Sequence, residues 1–449
     1  MVTDQLGPTR GLDATTVLTV YVVLLLGIPS PMVVAPLGSA GAPSALMAIA
    51  AFLWWAWFHI HRARRITWGF QPVRAAMLGW LLIMLVVYAQ AMSSPIPADE
   101  ISPADNGLLK VVGFAGILLV ANDGIPALER HRAVVRRLVI GAGVVAVLGV
   151  VQYATQQLWV DRLQIPGLTP GTAGWSLATR SGLARPSGTS THPIEYGVVL
   201  TMLLPLVITF AAHSPTRRWL YKIFVSAIAL VVFLSLSRSA LVCAAVGLIV
   251  LAASWSLAAR LRAMAFLMMI LAVVYVTVPG TLGTITRLFT GASGDPSIAS
   301  RTGSYEIAAQ FIGRSPVVGR GFGTFLPKYW ILDNGYLGLL IEGGVLGLAG
   351  LLAVTTAGVL AARAGRRAAA VDFDRSLAQG LLASVASGAF GLAFFDTFAF
   401  PQSAGTFFLL LGLAGAARRL NRVEAERRPV QVAAPPATPL AAAPVRTRR

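Results

Sequence analysis

Residues 219–257 read WLYKIFVSAIALVVFLSLSRSALVCAAVGLIVLAASWSL, two long apolar runs separated by a short turn that carries one arginine, Arg238. A helix needs roughly 17–25 mostly apolar residues to cross a bilayer, and each run has about that length. The stretch therefore predicts two membrane-spanning helices joined by a very tight turn.

The composition of the whole chain agrees with this interpretation. Of 449 residues, 56% are hydrophobic and only 12% are charged, and the mean hydropathy is +0.72. Soluble domains carry about 25% charged residues, so the composition indicates an integral membrane protein. The net charge of +18 does not indicate a nucleic-acid partner, because no basic patch with interleaved aromatic residues is present.

Cysteine and histidine do not indicate a metal site. The single cysteine, Cys243, lies in an apolar segment, so the sequence has no disulfide framework and no cysteine metal site. The five histidines lack the i, i+4 spacing of a helical metal site. We therefore expect neither a metal ion nor another cofactor.

Apolar segments recur throughout and predict an all-α, polytopic membrane protein of about twelve transmembrane helices. The segment 108–121 is the weakest, because it is short and carries Lys110. The predicted segments are 15–34, 42–58, 75–92, 108–121, 135–154, 194–212, 219–236, 239–257, 264–279, 334–362, 377–395 and 403–417.

Every second loop is rich in lysine and arginine, which sets the predicted orientation. Loops with this composition stay in the cytoplasm, so both termini are predicted to be cytoplasmic in a multi-pass protein of the cytoplasmic membrane. A single transmembrane domain is predicted over residues 1–422. Residues 423–449 are rich in Ala, Pro and Arg, and they predict a disordered basic tail that either contacts anionic membrane lipids or is simply solvated.

Two long loops fall on the opposite, extracytoplasmic side, at about 155–193 and 280–333. Loops of this length are uncommon unless they are functional or disordered. The second predicts a short amphipathic helix, because Asp295 can cap it, Pro296 suits its first position, and Gly313 and Pro316 can end it. Its apolar stripe would consist of Ile307, Ala308, Phe311 and Ile312.

Six arginines lie on the predicted outer side, where basic residues are scarce. Their placement favours an anion at the outer surface, although a solvated or snorkelling charge is the alternative for each, and the solvated alternative is favoured for Arg180 and Arg314. Arg238 has the strongest physical case, because an arginine between two apolar spans is costly to place without a partner. The six are Arg180, Arg185, Arg238, Arg301, Arg314 and Arg320.

Four stretches on this side share one pattern. They are RPSGTSTHPIEYG at 185–197, SLSRS at 235–239, Arg301 followed by PVVGRGFGTF at 316–325, and DNGYLGLLIEGG at 333–344. In order and spacing they resemble the O-antigen ligase and polysaccharide polymerase family of bacterial membrane proteins, over roughly residues 180–347. Gly343 and Gly344 favour close helix packing, and 316–323 favours a turn.

The resemblance implies a glycan transferase. Its substrate would be an oligosaccharide on a polyprenyl pyrophosphate in the outer leaflet, its acceptor a hydroxyl of a glycan, lipid or protein, and its chemistry independent of metal. Arg185 and Arg238 match the arginines of the family pattern best, so they are predicted to bind the pyrophosphate. Guanidinium groups suit this role because they stay charged and bind phosphate oxygens bidentately.

The acceptor hydroxyl needs a base. Ligases of the family often carry a histidine immediately before the Asn-x-Tyr-Leu segment, whereas this chain has Asp333. The resemblance therefore implies Asp333 as the base and favours a polymerase, with a helix N-cap as the structural alternative. His192 and Glu195 are the other candidate bases, and each could instead be structural at the start of a helix.

Three further residues are predicted to bind substrate. Arg301 and Arg320 could contact the same phosphates or the acceptor sugars. Glu342 lies inside a predicted span, where a carboxylate is a functional candidate by default, although it could simply pair with an arginine from a neighbouring span.

Polymerase is the first interpretation, followed by ligase and by protein O-oligosaccharyltransferase. The alternative from another class is a lipid-linked glycan transporter. Transporters place ionisable residues near the bilayer midplane and often contain internal repeats. Here the notable polar residues gather at one face and no convincing repeat is found, which favours a transferase.

Overall fold

The computed structural model describes residues 13–61, 70–171, 177–180, 183–277, 283 and 296–427. Over these residues the chain forms a bundle of long helices. They are α1 (Ala14–Gly27), α2 (Pro43–His61), α3 (Pro72–Ser93), α4 (Ala98–Gly124), α5 (Leu128–Thr155), α6 (Pro193–His213), α7 (Arg218–Leu234), α8 (Arg238–Ala252), α9 (Leu257–Thr277), α10 (Pro296–Arg314), α11 (Gly335–Ala368), α12 (Asp372–Gly391) and α13 (Pro401–Arg427).

Two small antiparallel sheets lie outside the bundle, and the sequence did not predict them. Strand β1 (Met32–Val33) pairs with β2 (Thr169–Pro170), which ties the predicted loop 155–193 to the segment after α1. Strand β3 (Ala178–Arg180) pairs with β4 (Leu183–Arg185). The predicted all-α class therefore describes the bundle, while part of the first long loop is extended.

The predicted apolar segments each fall on one helix, in order, and α10 lies where the loop helix was expected. Among the described residues, six helices, α2 to α6 and α11, are long and apolar enough to cross a membrane. Helices α1 and α8 are apolar but have only 14 and 15 residues. The twelvefold crossing itself stays a prediction.

Helix α4 is much longer than the weak segment 108–121 that predicted it. It has 27 residues and begins at Ala98, so its first turn contains Asp99 and Glu100. Negative charges stabilise the first turn of a helix, which explains why polar sequence extends an apolar span here.

Contacts between helix ends show that the helices alternate in direction. Arg132 at the start of α5 binds Asp374 at the start of α12, with 2.5 Å between Nη2 and Oδ2. Arg74 at the start of α3 lies 3.4 Å from Asp123 at the end of α4. We call this the basic end of the bundle, because the segments predicted to be cytoplasmic meet there.

The other end, which we call the site end, is where α4, α6, α8, α11 and α13 begin and where α3, α5, α7 and α12 finish. The backbone N–H of Gly335 donates to the carbonyl oxygen of Leu392 at 2.7 Å, joining the start of α11 to the end of α12. The N–H of Gln402, at the start of α13, donates to Glu195 in the first turn of α6 at 2.9 Å. The sequence-predicted site residues therefore lie on elements that meet at one end.

Helix α11 is broken at Gly344, where φ is 62° and ψ is −167°. The break frees backbone groups, and the loop after α10 satisfies them: Val345 and Leu346 donate to Pro316 and Val317 at 2.9 and 3.1 Å. In return, Gly321 donates to the carbonyl oxygen of Glu342 at 2.8 Å. The sequence suggested that Gly344 favours helix packing, but its structural role is to open the helix for this loop.

Helix α10 packs on the bundle through the apolar stripe that its sequence predicts. Ala308 is buried, and Phe311 and Ile312 pack against Leu332 and Ile341. The helix begins at Pro296, as expected, while the predicted cap Asp295 lies outside the described residues. The stripe therefore rests on α11 and the loop before it.

Helix α13 continues to Arg427, past the predicted domain boundary at residue 422. Arg422 and Glu426 form an i, i+4 ion pair of 2.7 Å on its exposed side, and pairs of this spacing support helices. Residues 423–427 are therefore helical, and the remainder of the predicted tail, 428–449, lies outside the described residues.

Replacing Gly344 by Ala should destabilise the protein by about 3 kcal/mol, because the ψ and positive φ are nearly restricted to glycine and the new Cβ would collide with the carbonyl oxygen of Val317. Thermal unfolding in detergent micelles measures the effect. Gly79→Ala on α3 is the matched control, since an added Cβ there meets nothing within 4 Å. Equal melting temperatures for the two variants would contradict the assigned role of Gly344.

Candidate active site

The two arginines predicted to bind pyrophosphate converge on one turn. Arg185 ends β4, is 8% exposed, and its Nε donates to the carbonyl oxygen of Ser235 at 2.7 Å. Ser235 caps the end of α7, and Arg238 is the first residue of α8 three positions later. Between them Leu236 has a backbone φ of 47°, which is uncommon for a residue other than glycine. The structure thus brings Arg185 to the turn that carries Arg238.

His192 stands at the start of α6. It is the N-cap residue of that helix, and its Nδ1 accepts a hydrogen bond from the N–H of Ile194 at 3.1 Å. Burial, and after it the positive charge of Arg185, lower the pKa of His192 to about 4. The imidazole is therefore neutral at physiological pH and is a weak base.

Glu195 holds two helices together. It is fully buried; Oε2 accepts from the N–H of Thr191 at 2.9 Å, and Oε1 accepts from the N–H groups of Gln402 and Ser403 at 2.9 and 3.4 Å. Both carboxylate oxygens are thus engaged by backbone donors at the starts of α6 and α13. This geometry favours the structural alternative for Glu195 over a base or a substrate ligand.

Replacing Glu195 by Gln should lower the free energy of unfolding by about 1–3 kcal/mol, because one of its acceptors becomes an NH₂ group facing a buried backbone donor. Thermal unfolding in detergent micelles is the measurement. Glu306→Gln on the exposed side of α10 serves as the control. A Glu195→Gln protein with normal stability and lost transfer activity would instead identify Glu195 as a substrate ligand.

Asp333 precedes α11 but does not cap it. The cap is Asn334, whose Oδ1 accepts from the N–H groups of Tyr336 and Leu337 at 3.1 Å each. The structural alternative considered for Asp333 is therefore wrong, because its neighbour performs that role. Asp333 also interacts electrostatically with Asp396, which places it at the connection between α12 and α13.

Asp396 and Lys110 form a charged cluster with Glu342, and the sequence did not anticipate this cluster. Burial raises the pKa of Asp396, the charge of Asp333 raises it as well, and the charge of Lys110 opposes them. Lys110 also interacts electrostatically with Glu342, whose Oε1 accepts from the N–H of Phe325 at 3.0 Å. The cation near Glu342 is thus a lysine of α4 rather than the expected arginine.

A signal for this cluster was present in the sequence. Lys110 lies in an apolar segment, where an ionisable residue is a functional candidate by default. The same residue makes 108–121 the weakest of the predicted spans. Asp396 is harder to identify from the sequence, because it lies in the short connection between two apolar segments and its partners are remote in sequence.

Arg320 is held by a second cluster. Its Nη2 lies 2.5 Å from Oε2 of Glu100, which is fully buried, and its guanidinium lies 5.0 and 4.8 Å from the ring centroids of Phe311 and Tyr329. The hydroxyl of Tyr329 also donates to Oε1 of Glu100, and Nζ of Lys328 lies 3.3 Å from the same oxygen. Arg320 therefore fastens the loop after α10 to the start of α4, which favours a structural role.

The remaining predicted arginines are on or near α10 and the β3–β4 sheet. Arg314 is exposed and lies 5.4 Å from the ring centroid of Phe311. Arg301 is on α10 and Arg180 ends β3, but both side chains lie outside the described part of the chain. Their predicted roles stay predictions.

Arg320→Gln should cost on the order of 2 kcal/mol, between the values for exposed and buried ion pairs, because it leaves the buried Glu100 carboxylate without its closest charge. Arg320→Gln combined with Glu100→Gln should recover part of that loss. Thermal unfolding in detergent gives both values, and Arg314→Gln, which removes the other arginine stacked on Phe311, is the control. An Arg320→Gln protein that is stable but inactive would restore the substrate-binding role.

Residues 223–352 match the O-Antigen ligase family. The matched stretch begins in α7 and ends in α11, and it contains Arg238, Asp333 and Glu342 but not Arg185 or His192. The resemblance inferred from the motifs is confirmed over this stretch. No curated protein matches the chain.

The match of this stretch to the family suggests a glycan-transfer function in a membrane. The apolar helices are consistent with that location. Within the described ranges, no three His, Cys, Asp or Glu side chains are grouped so that they could hold a metal ion.

Proposed function

We propose that this protein is a glycosyltransferase of the cytoplasmic membrane that transfers or polymerises a polyprenyl-pyrophosphate-linked glycan at the extracytoplasmic face. The observation that carries the proposal is the convergence of Arg185 and Arg238 on the turn between α7 and α8. Arg238 lies inside the stretch that matches the O-Antigen ligase family.

The leaving group explains why two arginines would be needed. The acceptor hydroxyl attacks the anomeric carbon, the bond from that carbon to the pyrophosphate oxygen breaks, and negative charge develops on the pyrophosphate. Fixed cations near a low-dielectric boundary stabilise that charge, so Arg185 and Arg238 can act without a metal ion. A single displacement of this kind inverts the anomeric configuration.

Asp333 is the proposed acceptor of the hydroxyl proton. It does not serve as the cap of α11, since Asn334 does, so its side chain is not committed to the helix start. Asp396 lies close enough to act on it electrostatically.

The acceptor distinguishes three activities. A polymerase uses a second lipid-linked glycan, a ligase uses a lipid A core and an O-oligosaccharyltransferase uses a protein hydroxyl. We place polymerase first, because Asp333 stands where ligases of the family often carry a histidine.

Charge distribution supports the outward orientation of the site end. The basic end contains many arginines that lie on or beside the predicted cytoplasmic loops, including Arg74, Arg132, Arg375, Arg418 and Arg419. Positive residues mark the cytoplasmic side of membrane proteins. The proposed orientation therefore exposes the Arg185–Arg238 turn to the outer leaflet, with both termini in the cytoplasm.

One observation favours the transporter alternative. Broken helices are typical of transporters, where the freed backbone groups bind substrate or ions, and α11 is broken at Gly344. Here, however, Pro316, Val317 and Gly321 bond those groups. The break thus anchors a loop, and the transferase interpretation is the stronger one.

Reconstituted protein supplied with a polyprenyl-pyrophosphate oligosaccharide, in the presence of a chelator, should produce longer glycan chains and free polyprenyl pyrophosphate. Arg185→Ala, Arg238→Ala and Asp333→Asn should each lower kcat/KM by about 100-fold or more, because each removes charge stabilisation or proton transfer in the transition state. Chromatography of the released lipid and gel analysis of the glycan measure the outcome.

Arg162→Ala is the control for this experiment, since Arg162 is exposed, stacks on Trp159 and donates a hydrogen bond to Oε1 of Gln157. It should retain parental turnover. Transfer to a lipid A core or a protein, without chain growth, would replace polymerase by ligase or O-oligosaccharyltransferase. Vesicle-to-vesicle movement of the lipid-linked glycan without any transfer would favour the transporter.

A further inference from the structure

A buried turn at 187–190 connects Arg185 to the start of α6. The N–H of Ser190 donates to the carbonyl oxygen of Ser187 at 2.9 Å, and Gly188 between them has a φ of 59°. A Cβ at Gly188 would lie 2.5 Å from a ring carbon of Tyr196, so the turn packs directly on α6. All residues from 184 to 190 are buried, and the backbone groups of a buried turn need partners within the protein.

Gln152, in the last turn of α5, supplies partners for Gly188. Its Oε1 accepts from the N–H of Gly188 at 2.8 Å, and its Nε2 donates to the carbonyl oxygen of the same residue at 2.9 Å. Nε2 also donates to the carbonyl oxygen of Leu158 at 2.7 Å. Two residues of paired β-strands exchange bonds in the same way, so this contact fixes the orientation of the Gly188 backbone as well as its position.

Gln402, the second residue of α13, holds the other half of the turn. Its Oε1 accepts from the hydroxyl of Ser190 at 2.5 Å, and its Nε2 donates to Oγ1 of Thr189 at 2.9 Å. The hydroxyl of Thr189 donates in turn to the carbonyl oxygen of Leu26, near the end of α1, at 2.8 Å. The turn is therefore tied to α1, α5 and α13.

Both glutamines are closed off from any substrate. Gln152 is 0% exposed and Gln402 is 1% exposed. An amide buried without partners is costly, and the oxygen and nitrogen of each of these amides are hydrogen-bonded within the protein. Their amides thus serve the turn that they bind.

We propose that Gln152 and Gln402 are positioning residues, which hold the turn at 187–190 so that Arg185 is placed at the α7–α8 turn. The proposal rests on the function proposed above, in which Arg185 binds the pyrophosphate. Arg185 pairs with Ala178 on one strand, its Nε donates to the carbonyl oxygen of Ser235, and the clamped turn begins two residues after it. A displacement of about 1 Å at a group that binds the reacting part of a substrate can lower the rate about 100-fold, which is why the turn has to be held.

Gln379 on α12 offers a matched control for a purely structural role. It is also buried, and its Nε2 donates to the carbonyl oxygen of Val250 at 2.6 Å. Val250 lies in the last turn of α8, at the opposite end of that helix from Arg238. Gln379→Met therefore removes a buried amide bond without affecting the turn at 187–190.

The test is a double-mutant cycle in purified protein in detergent micelles, with farnesyl pyrophosphate as the probe and calorimetric titration as the measurement. Methionine is unbranched and of similar length, so Gln152→Met and Gln402→Met remove the amide bonds with little change of shape. Each should weaken pyrophosphate binding about 10-fold, because a group that is no longer pre-organised must be ordered on binding. Gln379→Met should bind within about twofold of the parent.

The same substitutions in an Arg185→Ala protein identify the residue through which the glutamines act. There, Gln152→Met and Gln402→Met should cause no further loss, because the effects of residues that act through one another are not additive. An equal loss in both backgrounds, an equal loss in Gln379→Met, or parental binding in both glutamine variants would each overturn the proposal.

Ser190→Ala gives a milder form of the test, since it removes only the hydroxyl that donates to Gln402. It should weaken binding about threefold in the parent and leave the Arg185→Ala protein unchanged. It decides between the positioning and the purely structural role by the same criteria if the methionine variants do not fold, as judged by thermal unfolding.

Glycan transfer by the same variants separates this proposal from the proposed function. The expected binding pattern without transfer to any acceptor would refute the proposed function and leave the positioning role intact. Transfer activity that is equal in the parent, Gln152→Met and Gln402→Met would refute the positioning role and leave the proposed function standing.

Discussion

Buried backbone groups must be hydrogen-bonded, and in an apolar bundle water is not available to do it. The break at Gly344 creates this need within the first third of α11, and the loop at 316–321 meets it with its own backbone. That exchange fixes the course of the loop. It also packs the loop closely against α4. A Cβ at Gly107 would collide with the carbonyl oxygen of Phe322, and a Cβ at Gly323 would collide with the carbonyl oxygen of Pro103. The hydrogen bonds that satisfy the backbone groups at this break thus hold the loop at 316–321 in place at the site end.

The same requirement explains the polar residues at the helix starts. Glu195, His192 and Asn334 each accept from backbone N–H groups there. Glu195 accepts from three such donors, and Nδ1 of His192 accepts from one. Asn334 relieves Asp333 of the capping role. Which of these side chains can take part in chemistry therefore depends on how many of their acceptor atoms are already hydrogen-bonded to backbone N–H groups.

Two of the cations at the site end interact with buried carboxylates. Arg320 has the buried carboxylate of Glu100, and Lys110 has Glu342 and Asp396. The Nε of Arg185 donates to the carbonyl oxygen of Ser235, which brings its guanidinium to the α7–α8 turn. Arg238 begins α8 at the same turn, and the proposed transferase site is centred there.

The sequence by itself determined the helices, the tight turn at Arg238, the loop helix from Pro296 and the family resemblance, because hydropathy, proline positions and short motifs are local properties. Only the tertiary structure decided which polar residues are committed to structure. Glu195 meets Gln402, Arg320 meets Glu100, and Lys110 meets Asp396, each across more than 200 positions of the chain. No local pattern encodes such partners, because they are set by which helix ends the folded bundle brings together.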